Sequence, residues 1–192
     1  MRSLKNYLIN LLVEEEVISK DQIDLYEYGL ILGIEFLVSI ILGMSFSFIT
    51  GNFHVGLLFY IVMIPLRKFC GGLHFDSGVV CQIVSFMMLV VTILVYHYIK
   101  IDHIFSVVAT LLMALFTYII SPIENKNKPL QQSEKIKLKS TTKKILIFIM
   151  IVDLNLFLIN SDFIHLIFII VLLNAISAFG GMVLHNVQIT LD

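Results

Sequence analysis

Apolar residues run in long blocks along this chain, and polar residues gather in the short stretches between them. About 20 apolar residues in helix cross about 30 Å of hydrocarbon. Read against that length, the blocks predict six spans, at about 28–50, 53–66, 78–98, 102–121, 145–160 and 163–185. None shows the short alternating segments of a membrane barrel. The expected fold class is all-α, a polytopic membrane helix bundle. The second block is the shortest and amounts to only about 21 Å of helix. Pro65 stands at its end and disfavours helix in the residue before it. The stretch that follows should therefore be drawn into the edge of the bilayer.

Ahead of the first span the pattern changes. Leu4, Tyr7, Leu8, Leu11 and Leu12 share one face of a helix over residues 3–18, and Glu14, Glu15 and Glu16 close it. This segment is too polar to span. It reads as an amphipathic helix lying on the membrane surface, or packed against the bundle. Ser19 and Gln22 fit a capping box for a second helix that feeds the first span. The opening residues lack the apolar core and cleavage site of a signal peptide. The chain is thus expected to be one membrane domain over 1–192. Residues 1–27 form the interfacial helix and lead-in, 28–121 the first four spans, 122–144 a Lys-rich loop, and 145–192 the last two spans and tail.

Composition agrees with this reading. Hydrophobic residues make up 58% and charged residues 14%, with a mean hydropathy of +0.96. Soluble domains carry about 25% charged residues. A net charge of -1 gives no reason to expect nucleic acid as a partner. The placement of charge says more than its sum. With the N-terminus in the cytoplasm, every Lys and Arg except Lys100 falls on the inner side of the six spans. Such an asymmetry fixes orientation. It puts both termini and the stretch 67–81 at the cytoplasmic face of the cell membrane. The Lys-rich loop serves that topology and meets anionic lipid, or offers a docking surface to an acidic partner.

Candidate chemistry is concentrated in Arg67-Lys68-Phe69-Cys70-Gly71-Gly72-Leu73-His74-Phe75-Asp76-Ser77-Gly78-Val79-Val80-Cys81, which holds both cysteines. A thiol becomes a good nucleophile when an imidazole or a helix N-terminus favours its thiolate. Both are at hand if Asp76 or Ser77 caps the third span, because Cys81 then falls in or just beyond its first turn. In one continuous helix His74 and Cys81 would stand about 10.5 Å apart along the axis. A base–nucleophile pair therefore needs the backbone to bend between them, and the glycines and Asp76-Ser77 permit it. A cysteine at a span start can equally be a small buried hydrophobe. Cys70 and His74 have the spacing of two metal ligands on a helix. The Gly71-Gly72 pair argues against helix there, so no metal and no cofactor is expected. The remaining histidines, His54, His97, His103, His165 and His185, sit near span ends where interface positions suit them. Within the spans, Glu35 is a candidate functional carboxylate. Asp153, Asn155 and Asn174 are expected to hydrogen-bond between helices.

Arg67, Gly72, His74 and Cys81 have the order and spacing of the AgrB family, membrane-embedded cysteine endopeptidases of Gram-positive quorum sensing, and the whole chain resembles that family. Pro122–Pro129 also resembles the family's loop before its later spans. The resemblance implies cleavage of the C-terminal part from a small AgrD-type propeptide. Cys81 would be the nucleophile and His74 the general base, with a thioester acyl-enzyme. A Cys or Ser of the substrate then releases a cyclic thiolactone or lactone autoinducer. Arg67 and Gly72 match family motif positions as supporting residues, and Cys70 has no place in the motif. Glu35 or Asp76 could orient His74. Lys126 and Lys128 could receive the acidic end of the propeptide. The partner implied is that propeptide, on a shared membrane; a homodimer is a separate expectation, since compact helical membrane proteins often pair. The alternative is a non-enzymatic peptide transporter or exporter, with Glu35 and Asp153 along its path.

Overall fold

In a computed structural model the described residues are 23–73, 78–123 and 131–191. The expected surface helix over 3–18 and the Ser19–Gln22 box lie outside them, as do His74, Asp76, Lys126 and Lys128. The described chain is all-α. Six helices follow in order: α1 (Ile23–Ile49), α2 (Phe53–Cys70), α3 (Gly78–Tyr98), α4 (His103–Ile120), α5 (Gln132–Leu158) and α6 (Phe163–Leu191). All except α5 are long and apolar enough to cross a membrane. Large apolar side chains such as Leu37, Ile41, Ile61, Ile83 and Phe148 face outward, as they do when lipid is the solvent.

The hub is α6, which packs against α2, α3, α4 and α5, while α1 lies against α2 and α3. One apolar cluster joins Val55, Phe59 and Met63 of α2 to Leu89 and Ile93 of α3 and to Leu166 and Ile170 of α6. A second joins Leu66 and Cys70 of α2 to Ala114 of α4, Leu146 and Ile149 of α5, and Ile167 and Val171 of α6. Helix α4 buries Ser106, Thr110, Ala114 and Thr117. That stripe of small residues lets helices approach closely where lipid gives no hydrophobic drive for association.

Two expectations are corrected. Helix α2 does not stop at Pro65 but runs through it to Cys70. Proline removes one helical hydrogen bond. Here the turns on either side are held by Met63, Leu66 and Cys70, all buried. The span is therefore 18 residues, not a short one. Likewise the Lys-rich stretch is a loop only in part, because α5 starts at Gln132. Gln131 caps it reciprocally with Glu134, and Lys139 lies 5.2 Å from the Tyr118 ring centroid. The polar residues of the spans also differ from expectation. Asn155 bonds back to Ile151 O in its own helix at 2.7 Å. Asp153 and Asn174 are buried without a hydrogen-bond partner; nothing in the structure accounts for them.

Two connectors at one end of the bundle close as left-handed helix caps. After α1, Gly51 (φ 71°) lets its own N–H reach Phe48 O and the Asn52 N–H reach Ser47 O. After α5, Asn160 (φ 55°) plays the same part, with bonds from Asn160 N–H to Phe157 O and Ser161 N–H to Leu156 O.

Candidate active site

The opposite end of the bundle carries the stretch singled out above. Helix α2 ends at Cys70 because Gly71 takes φ 82°, a conformation other residues rarely adopt. Residues 71–73 are not helical, and the next described helix, α3, spans Gly78–Tyr98. These non-helical residues remove the spacing of a helical Cys70–His74 metal pair.

This short segment is clamped on all sides. The Cys70 carbonyl accepts from Ile123 N at 3.1 Å, and the Phe69 carbonyl accepts from Thr142 Oγ1 at 3.1 Å. The Leu73 N–H donates to Ser177 Oγ of α6 at 3.2 Å. A Cβ on Gly72 would lie 2.9 Å from Ser177 Oγ, and one on Gly181 would lie 2.6 Å from the Gly72 carbonyl oxygen. Gly72 and Gly181 are therefore in backbone contact, which no larger residue permits. Cys70 has no exposed surface and belongs to an apolar cluster. It is the buried hydrophobe that one reading of a membrane cysteine anticipates.

Cys81 is placed differently. It is the fourth residue of α3, in the first turn, and partly exposed. Its partner is Arg67, one turn before the end of α2. The guanidinium donates from Nη1 to Ser85 Oγ at 2.7 Å and from Nη2 to Leu73 O at 2.9 Å. The same Nη2 faces Cys81 Sγ at 3.5 Å. Ser85 in turn donates to the Cys81 carbonyl at 2.8 Å. One planar cation thus ties together the end of α2, the segment 71–73 and the start of α3, a task for which arginine's fixed fork is suited. The charged group against the Cys81 sulfur is thus a guanidinium, and the sulfur itself sits in the first turn of α3.

Glu35 of α1 comes to the same place. A Cβ on Gly78 would overlap its carboxylate, so the absence of a side chain at the first residue of α3 is what admits the acid. A carboxylate at a helix N-terminus is favourably placed. The structure therefore brings together Arg67, Gly72 and Cys81, with Glu35 against Gly78, one turn before Cys81. Two residues of this site escaped sequence reading, Ser85 and Ser177. Ser85 stood one turn beyond Cys81 on the same helix and could have been found by that spacing. Ser177 lies 104 residues from Leu73, and no local signal marks it.

The model of accessory gene regulator B (AgrB) matches residues 5–178. The chain belongs to the AgrB family. That match takes in five of the six helices in full and most of α6, together with Arg67, Gly72, His74 and Cys81. It makes the protein an AgrB-type quorum-sensing processing protein with a multi-pass membrane fold. Comparison with curated proteins and with solved structures gave no match.

Proposed function

We propose that this AgrB-family protein is a membrane cysteine endopeptidase that cleaves a small AgrD-like propeptide and closes the product into a ring. The observation that carries this reading is the seat of Cys81, partly open, in the first turn of α3, with the Arg67 guanidinium against its sulfur. Cys70, sealed in the core, has none of these features.

His74 is the general base in this mechanism. Support comes from its neighbour in the chain. The Leu73 carbonyl carbon is bonded to the His74 nitrogen, and the Leu73 oxygen and the Cys81 sulfur both lie against one guanidinium nitrogen. The last described residue before His74 thus shares a guanidinium nitrogen with the Cys81 sulfur. Glu35 is the residue that would orient the imidazole in this reading, supported by its carboxylate lying at Gly78, one turn from Cys81. Asp76 is the competing orienter.

In the first step the imidazole takes the thiol proton and Sγ attacks the scissile carbonyl carbon. The tetrahedral intermediate collapses, the C–N bond breaks, and the imidazolium gives its proton to the leaving amine. The result is a thioester on Cys81 and a free C-terminal fragment. A cysteine side chain of the bound substrate then attacks the thioester carbonyl, restoring the Cys81 thiol and closing a thiolactone; a serine would give a lactone. Proximity favours this over water, since the reacting thiol is already part of the bound acyl group. Removal of the released fragment would draw the sequence forward.

Co-expression with a small peptide that is amphipathic, then Cys-containing, then acidic tests the reading. Cys81→Ala and His74→Ala should each abolish cleavage, and Cys70→Ala should leave it. A substrate with its ring-closing cysteine changed to alanine should accumulate on Cys81 as a hydroxylamine-labile adduct visible by mass spectrometry. Normal cleavage by Cys81→Ala would overturn the assignment.

A further inference from the structure

A second cluster of reactive side chains lies at the other end of the bundle. His103 opens α4, Asp162 ends the α5–α6 connector, and His165 stands in the first turn of α6. One potential ligand atom from each falls within 4.8 Å of the other two. The imidazole rings of His103 and His165 lie 4.7 Å apart between centroids. Nothing in the proposed peptidase chemistry uses these residues.

The surrounding hydrogen bonds set the state of both rings. Ser106 Oγ reaches the Asp102 carbonyl at 3.1 Å and His165 Nδ1 at 2.9 Å. A carbonyl can only accept, so the single hydroxyl proton goes to Asp102. Both bonds are then made only if His165 Nδ1 carries a proton and donates to the serine oxygen. That leaves the lone pair of His165 Nε2 free. His103 Nδ1 stands 3.2 Å from Asn160 Oδ1, again an acceptor. With His103 Nδ1 donating there, its Nε2 faces Asp162 Oδ1 at 3.5 Å. In their neutral forms the two rings thus turn lone pairs toward a carboxylate. Such a set of acceptors calls for a positive charge among them. Hydrogen bonding of the outer ring nitrogen by Ser106 and Asn160 is how proteins orient histidine ligands.

We propose that His103, Asp162 and His165 bind a divalent transition-metal ion, zinc by donor type, at the membrane face opposite Cys81. Two imidazoles and one carboxylate suit zinc, with water completing a tetrahedron. Ligand atoms around such an ion stand about 3.3 Å apart. The cluster must therefore contract, and the exposed Asp162 side chain on its connector is free to swing inward. His165, nearly buried, and Ser106, fully buried, supply the fixed side of the site. The left-handed Asn160 that ends α5 supplies the second orienting contact. The bound ion would staple the start of α4, the α5–α6 connector and the start of α6.

The test uses the full chain purified in detergent, with zinc and cobalt chlorides as probes. Wild type should bind one zinc ion by calorimetry, gain thermal stability on binding, and give visible d–d absorption with cobalt of tetrahedral intensity. His103→Ala/His165→Ala should lose the cobalt bands. Ser106→Ala should bind about 10–100-fold more weakly, the usual cost of losing an orienting contact. Asp162→Asn changes only an exposed side chain and keeps the test usable if the double variant fails to fold. Equal zinc affinity and equal cobalt spectra in wild type and Asp162→Asn, or no zinc binding by wild type at all, would overturn the proposal and leave a proton as the charge between His103 and Asp162. Either result is read without a peptide substrate, so it stands apart from the peptidase assignment.

Discussion

Replacing Gly181 with alanine puts a methyl group where α6 touches the segment before His74. The new carbon would sit 2.6 Å from the Gly72 oxygen and 2.7 Å from the Gly72 carbonyl carbon. Carbon atoms prefer about 3.5 Å or more, so the backbones must part by about 0.8 Å. Neither side can yield by rotating a side chain, since both are main chain. Overpacking of this kind costs about 1–3 kcal/mol, and each kcal/mol lowers the melting temperature of a chain this size by about 2–4 °C. The shift would be passed to Leu73 and thence to the Arg67–Cys81 contact. Misplacement approaching 1 Å at reacting groups can cost about 10²-fold in rate. Gly180→Ala offers a graded comparison, because its methyl would meet only the Leu73 side chain, at 3.1–3.2 Å, which can turn away. Gly33→Ala is the control. Nothing lies within 4 Å of its added carbon, and helix propensity should favour it by up to about 1 kcal/mol. Melting in detergent and propeptide cleavage in cells should both rank Gly33→Ala first, Gly180→Ala next and Gly181→Ala last. A Gly181→Ala protein that matches Gly33→Ala in both assays would refute the clamp.

Arg67→Lys keeps the charge but loses the fork that reaches Ser85, Leu73 and Cys81 at once; cleavage should fall about 10²-fold if the reacting groups drift by an ångström, while Ser85→Ala, which removes one bond of about 1 kcal/mol, should cost only several-fold. Glu35→Gln should depress cleavage with little change in melting, and Asp76→Asn should not; the reverse ranking would make Asp76 the residue that orients His74. Charge reversal at Lys126 and Lys128 should weaken processing of an acidic-tailed substrate in a salt-sensitive manner, and unchanged processing at low ionic strength would remove those two lysines from the docking surface.

The spans were legible because apolar runs of this length have few other uses. Span three was read at 78–98 and α3 occupies those residues. The end of α2 was misread because Pro65 is a local signal for stopping, and burial of Leu66 and Cys70 against α4, α5 and α6 is not local. The start of α5 was misread for a different reason. Its lysines look like loop composition, yet Gln131 and Glu134 carried a readable capping pattern. Within the site, the chain across the sequence separation of 14 from Arg67 to Cys81 could be guessed to fold back only through the glycines. The approach of Glu35 to Gly78 depends on how α1 packs, and that is a tertiary fact. His103 and His165 were assigned no duty, because residues this far apart in sequence meet only once α4 and α6 pack together.

Helix α5 has one more implication. Its 27 residues make about 40 Å of rod, longer than a hydrocarbon layer of about 30 Å. Only residues 145–158 are apolar enough for the lipid tails, so the turns bearing Lys135, Lys137, Lys139, Lys143 and Lys144 must stand proud among the headgroups. Their ammonium groups are spaced along a stiff rail. An anionic peptide gliding over the bilayer would meet a receiver already in shape, and ordering that receiver would subtract nothing from its grip.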